Sequence, residues 1–144
     1  MYADGKGVPK SDTEAVAWFR KAAEQGLAQA QNKLGYLYLD GKGVPKDEKK
    51  AVEWIRKAAE QGNYANGQDS LGEMYRDGRG VPQDNIRAYM WFDLAVQQYE
   101  RQGAKNIETA QRRDVIAKQL TSAQLVEAQQ LAQKCRASNY KNCD

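Results

Sequence analysis

Asp40-Gly41-Lys42-Gly43-Val44-Pro45-Lys46 is the stretch on which the reading of this chain turns. It recurs upstream as Asp4-Gly5-Lys6-Gly7-Val8-Pro9-Lys10 and downstream as Asp77-Gly78-Arg79-Gly80-Val81-Pro82-Gln83. The offsets are 36 and then 37 residues, because one residue is added between Gly62 and Gly72. Residues 3–26 laid on 39–62 agree at 17 of 24 positions. A fixed period of this size marks stacked supersecondary units, each unable to bury its own apolar face.

Working outward from the turn, each unit reads as two antiparallel helices. Before it, Ala30, Leu34, Leu37 and Tyr38 give a helix over about 28–39 one apolar stripe. Gly35 and Gly72 lie inside such helices, where glycine costs about 1 kcal/mol against alanine. A cost paid twice predicts a close helix–helix approach with no room for a Cβ. Gly41 suits the left-handed position past a helix end, Gly43 suits a second tight turn, and Pro45 blocks continuation. Ser11, Asp47 and Asp84 are the expected N-caps of the second helix, with Ser11 and Glu14 forming a capping box. Ala51, Trp54, Ile55 and Ala58 then follow helical spacing, matched by Ala15, Trp18, Phe19, Ala22 and by Ala88, Trp91, Phe92, Ala95. Gly26 and Gly62 close two of these helices. Tyr99 replaces the glycine in the third copy, so that helix is predicted to run on towards Gly103.

The remainder breaks the repeat. One helix is expected from Ile107 to about Gln119, with Val115, Ile116 and Leu120 as its apolar residues. A capping box at Thr121-Ser122-Ala123-Gln124 opens another to about Arg136, whose seam is Leu125, Ala128, Leu131, Ala132 and Cys135. A pair that is apolar on one side and glutamine-rich on the other suits a terminal cap. The expected organisation is repeats over 1–104, a helical cap over 105–137 and a tail over 138–144. The first repeat reads as incomplete, because Met1-Tyr2 aligns with Leu37-Tyr38 at a helix end.

The pattern of Leu34, Gly35, Tyr38, Gly41, Gly43, Val44, Asp47, Ala51, Trp54, Ala58, Ala59 and Gly62 resembles the Sel1-like repeat, a relative of the tetratricopeptide repeat. The resemblance covers residues 1 to about 100. It implies an all-α fold class, an α-α superhelix of helical hairpins closed here by C-terminal capping helices. It also implies an adaptor role in protein complexes, often in bacterial envelopes or host-facing signalling.

Composition narrows the chemistry. Net charge is +3 with both signs interspersed, so no basic arm for nucleic acid is present. No apolar run approaches the ~20 residues of a membrane span, and no signal peptide is recognisable. The Gly-Lys-Gly turns lack the preceding strand and the following Ser/Thr-led helix of a phosphate loop. Without histidine, Ser-His-Asp and Cys-His pairs and the commonest metal ligand are lost. Carboxylate pairs remain as candidate acids, but Asp4, Asp40 and Asp77 sit at helix ends beside glycine turns, where solvent exposure is expected and the burial or close partner that moves a catalytic pKa is not suggested. No cofactor or metal is expected and the chain is read as non-enzymatic. Trp18, Trp54 and Trp91 are read as core rather than as a stacking ladder. Cys135 and Cys143 make a poor zinc site. The preferred reading is a disulfide folding the tail over the last helix, the alternative one buried and one free thiol.

Recognition is expected on the face that varies between copies while the packing positions stay constant. Gln29, Asn32, Tyr36 and Leu39 lie on it in the first helix of the complete unit, with Asn66, Asp69, Glu73 and Arg76 as counterparts. On this reading they line the concave side and bind a protein or peptide partner; the alternative is that they are merely solvated. A bacterial envelope enzyme or small-molecule binder is the rival function, and a structural spacer a third. A disulfide favours the bacterial periplasm or secretion, the cytoplasm being the other location. Partner identity and oligomeric state are not encoded in the pattern.

Overall fold

The computed structural model describes residues 8–143, which form seven helices and no strand. These are α1 (Val8–Glu24), α2 (Ala28–Asp40), α3 (Glu48–Ala59), α4 (Ala65–Asp77), α5 (Asn85–Arg101), α6 (Ile107–Gln119) and α7 (Ser122–Ala137). Each of α1 to α5 packs on its successor, the first helices α2 and α4 also touch, and α7 folds back onto α5. The core is therefore a strip of interleaved side chains along a stack.

The repeated turn explains the hairpin. Gly41 takes φ 68° after α2, and its amide and that of Lys42 both donate to the Leu37 carbonyl. The Asp47 amide donates to the Tyr38 carbonyl at 3.0 Å, holding Asp47 extended while its carboxylate accepts from the Lys50 amide. The next copy repeats this with Gly78, Asp84 on the Tyr75 carbonyl, and the Arg87 amide on Asp84. The second glycine answers to a different constraint. A side chain on Gly43 would overlap the Asp12 carbonyl, and one on Gly80 the Glu48 carbonyl. Each turn thus rides on the start of the previous unit's second helix.

Helix-interior glycines mark close approach, as expected. A Cβ on Gly35 would lie 2.5 Å from Ile55 Cγ1, and one on Gly72 would lie 2.6 Å from Phe92 Cδ1. Polar ties repeat with the period as well. Arg20 donates to the Tyr38 hydroxyl at 2.9 Å, and Arg56 to the Tyr75 hydroxyl at 2.7 Å. One step further along the repeat stands Asp93, which pairs with Arg113 of α6 at 3.1 Å. At that tie α6 plays the part of the next unit's first helix, with donor and acceptor exchanged between the two helices.

The last helix opens with the expected capping box on Thr121 and Gln124. Ala128, Ala132 and Cys135 are buried beneath it, and Cys135 is disulfide-bonded to Cys143. Three expectations change. Ser11 lies inside α1, which starts at Val8, so it does not cap. The carbonyl that would hold it extended, as Tyr38 holds Asp47, belongs to Tyr2, outside the described residues. Val115 is exposed, leaving Ile116 to anchor α6. Of the tryptophans, Trp91 is fully buried, Trp54 is half-buried under the Lys57 ammonium, and Trp18 is 64% exposed. Only α5 is packed by α4, α6 and α7 together, so only its tryptophan is enclosed.

Candidate functional site

A groove of about 630 Å³ opens between α1 and α2. Trp18, Phe19 and Ala22 of α1 form one wall, and Gln29, Asn32, Lys33 and Tyr36 of α2 form the other. Leu27, between the helices, and Tyr64, before α4, complete it. Trp18 and Leu27 present 64% and 57% of their surface to solvent side by side in this groove, and adjacent exposed apolar side chains are more informative than single ones.

The expected recognition face divides. Gln29, Asn32 and Tyr36 line the groove. The Tyr36 hydroxyl also donates to Ser70 Oγ at 2.9 Å, tying α2 to α4. Burial raises the Tyr36 pKa, against the opposing effect of that hydrogen bond. Leu39 is 3% exposed and belongs to the core. At about 100° per residue the face drifts by about 80° between positions 29 and 39, onto the packed side of the helix.

The counterparts on α4 are engaged elsewhere. Asn66 accepts a hydrogen bond from the Tyr99 hydroxyl. Asp69 is held by Arg112 of α6 at 2.6 Å with its side chain 13% exposed. Glu73 lies 3.7 Å from Arg76, whose guanidinium also grips Asp77 at 2.9 Å. Burial raises the pKa of Asp69 and outweighs the Arg112 contact; burial and then the Asp69 charge raise that of Glu73. These shifts arise where α6 lays an arginine over α4. Asp69 and Glu73 therefore form part of a structural ion network rather than an acid–base pair.

Trp18, Leu27, Lys33 and Tyr64 line the groove without having been expected there. Tyr64 had a signal, since it stands in the stretch holding the inserted residue. The groove offers apolar contact and hydrogen bonding: among the described residues, Lys33 is its one charged wall residue, and Asn32 Oδ1 is buried without a hydrogen-bond partner. No described group of carboxylates and thiols is placed to hold a metal ion, and no described helix is long and apolar enough to cross a membrane.

Comparison with known proteins agrees with this architecture. A protective antigen of uropathogenic Escherichia coli that displays an SLR fold superposes with TM-score 0.78 at 40% identity. The match covers 90% of this chain, which spans 27% of that longer one. A Sel1 repeat protein from Oxalobacter formigenes superposes with TM-score 0.56 at 39% identity, over 65% of this chain and 84% of its own. No curated protein matches the chain. Sel1-repeat proteins generally mediate protein–protein interaction. The Sel1 repeat matches residues 1–27, 28–63 and 65–99, and the chain belongs to the Sel1 repeat family.

Proposed function

We propose that this chain is a non-enzymatic adaptor that holds a protein or peptide partner in the groove between α1 and α2. The observation carrying this reading is that Trp18, at a position enclosed in the third unit, stands open beside Gln29, Asn32 and Tyr36. An exposed aromatic flanked by the exposed Gln29 amide and by Asn32 Oδ1, which has no hydrogen-bond partner among the described residues, is the composition of a binding hot spot. A substrate or cofactor pocket would bring charged groups together, and among the described residues this groove offers Lys33 alone. The disulfide supports an oxidising compartment, the bacterial periplasm or the exterior.

A photo-crosslinker placed at exposed Gln29 tests the reading in extracts of the native source. Proteins captured by the parent chain should be lost, or bound at least about tenfold more weakly, with Trp18→Ala and Asn32→Ala. Equal capture by both variants while folded would remove the groove from the adaptor's working surface.

A further inference from the structure

Another groove, of about 300 Å³, lies between α4 and α6. Arg76 of α4 stands on one side of it, and Glu108, Gln111, Arg112 and Val115 of α6 on the other. Both guanidiniums lie over the ring of buried Phe92, 5.9 and 6.0 Å from its centroid, which anchors them at one place. Their charges are engaged from within the fold. Arg112 holds Asp69 at 2.6 Å, and Arg76 grips Asp77 at 2.9 Å. Two more carboxylates stand further off: Glu73 is 3.7 Å from Arg76 and Glu108 is 4.0 Å from Arg112, beyond hydrogen-bonding reach. Within these contacts four carboxylates meet two guanidiniums, so negative charge is in excess beside the groove. An entering anion would have to displace Asp69 or Asp77 from bonds already made. An entering cation meets Glu73 and Glu108, whose oxygens retain the capacity to accept.

We propose that this groove takes a lysine or arginine side chain from a segment of a protein partner, its cation shared by Glu73 and Glu108 and its methylene stem laid along Val115. The space is at the small end of binding pockets, which suits one long side chain rather than a helix. Val115, 54% exposed on the α6 wall, gives the stem an apolar surface. Burial and then the Asp69 charge disfavour ionised Glu73, so a cation placed there relieves a cost the fold already bears. Discrimination comes from charge: a stem without the cation gains the Val115 contact alone, and a carboxylate is repelled. The surface is additional to the groove between α1 and α2 and does not depend on the reading of that groove.

The probes are the capped peptides acetyl-Gly-Lys-Gly-amide and acetyl-Gly-Arg-Gly-amide, titrated into the isotope-labelled whole chain and followed by backbone amide chemical shifts. Saturable shifts are expected at Glu73, Glu108, Gln111 and Val115. A norleucine peptide, which keeps the stem and loses the charge, and a glutamate peptide should each bind at least about fivefold more weakly. Glu73→Gln combined with Glu108→Gln should weaken the lysine peptide to the same extent while the helical circular dichroism stays that of the parent. Trp18→Ala should leave binding unchanged, so that failure here and failure of the groove between α1 and α2 are read separately. Absence of saturation with both basic peptides, or shifts confined to other surfaces, overturns the proposal. Equal binding of the norleucine peptide would make the groove an apolar site, and tighter binding of the glutamate peptide would give it to an anion. Either result overturns the proposal, as does equal binding by the doubly substituted chain.

Discussion

The ring of Tyr140 lies directly against Gly62, so that any side chain on Gly62 would overlap it. Gly62 sits at φ 79° in the turn between α3 and α4, and Tyr140 sits at φ 64° in the tail. The Tyr140 amide donates to the Cys135 carbonyl at 2.8 Å, and its hydroxyl accepts from Arg101 at 3.3 Å. The tail is therefore a clasp tying the cap to the second unit. Gly62→Ala should destabilise the fold by about 2–4 kcal/mol, of which roughly 1–2 reflects the left-handed backbone. In a Tyr140→Ala background only the backbone part should remain. A double-mutant cycle by urea denaturation checks this, and simple additivity would show that ring and glycine do not oppose one another.

The disulfide closes the loop that presents Tyr140, with its cysteines eight residues apart. So short a loop gives an entropic stabilisation of about 2–3 kcal/mol. Cys135→Ser with Cys143→Ser should lower the denaturation midpoint accordingly. The loss should shrink once Tyr140→Ala has removed what the loop holds. Intact mass before and after reduction and alkylation establishes the bridge in protein made under oxidising conditions. Two alkylatable thiols there would sink this prediction and the case for an oxidising compartment.

Asp69 yields a pH dependence. Burial raises its pKa despite the bond from Arg112, so ionised Asp69 costs the folded state more than the unfolded one. A raised folded pKa gives stability that is present below the unfolded value and lost as pH rises through the folded one. The stability of the parent chain relative to Asp69→Asn should therefore fall as pH rises through the range just above 3.8. Thermal melts of both proteins across that range test the sign, and a rising difference would mean that the arginine pair outweighs burial.

The turn was the most legible part of the sequence, because each of its features follows from local backbone chemistry. Gly41, Asp47 and the helix-interior Gly35 all sit where their residue types demand. The site was less legible because a face depends on what covers it. Asp69 and Asn32 are counterparts in the repeat, yet α6 supplies Arg112 to one and nothing described bonds the other's buried oxygen. Periodicity assigns Trp18 and Trp91 one role, since it counts positions and not neighbouring helices. The clasp of Tyr140 on Gly62 left no periodic signal at all, for it joins a tail outside the repeat to a glycine already explained as a helix end.

The three tryptophans make the dependence on neighbours measurable. They share one repeat position but stand in different surroundings, from complete burial at Trp91 through partial cover at Trp54 to 64% exposure at Trp18. Trp91→Ala should cost about 3–5 kcal/mol, since enclosing helices collapse only partly into the space left. Trp54→Ala should cost about 1–2 kcal/mol, because water and the Lys57 stem can occupy part of that space. Trp18→Ala should change stability by no more than about 0.5 kcal/mol while weakening partner capture. Chemical denaturation of the three variants, set beside crosslinking from Gln29, separates the effects. A large loss of stability with Trp18→Ala would make that residue part of the core, and the groove would then lose its most exposed aromatic as an anchor.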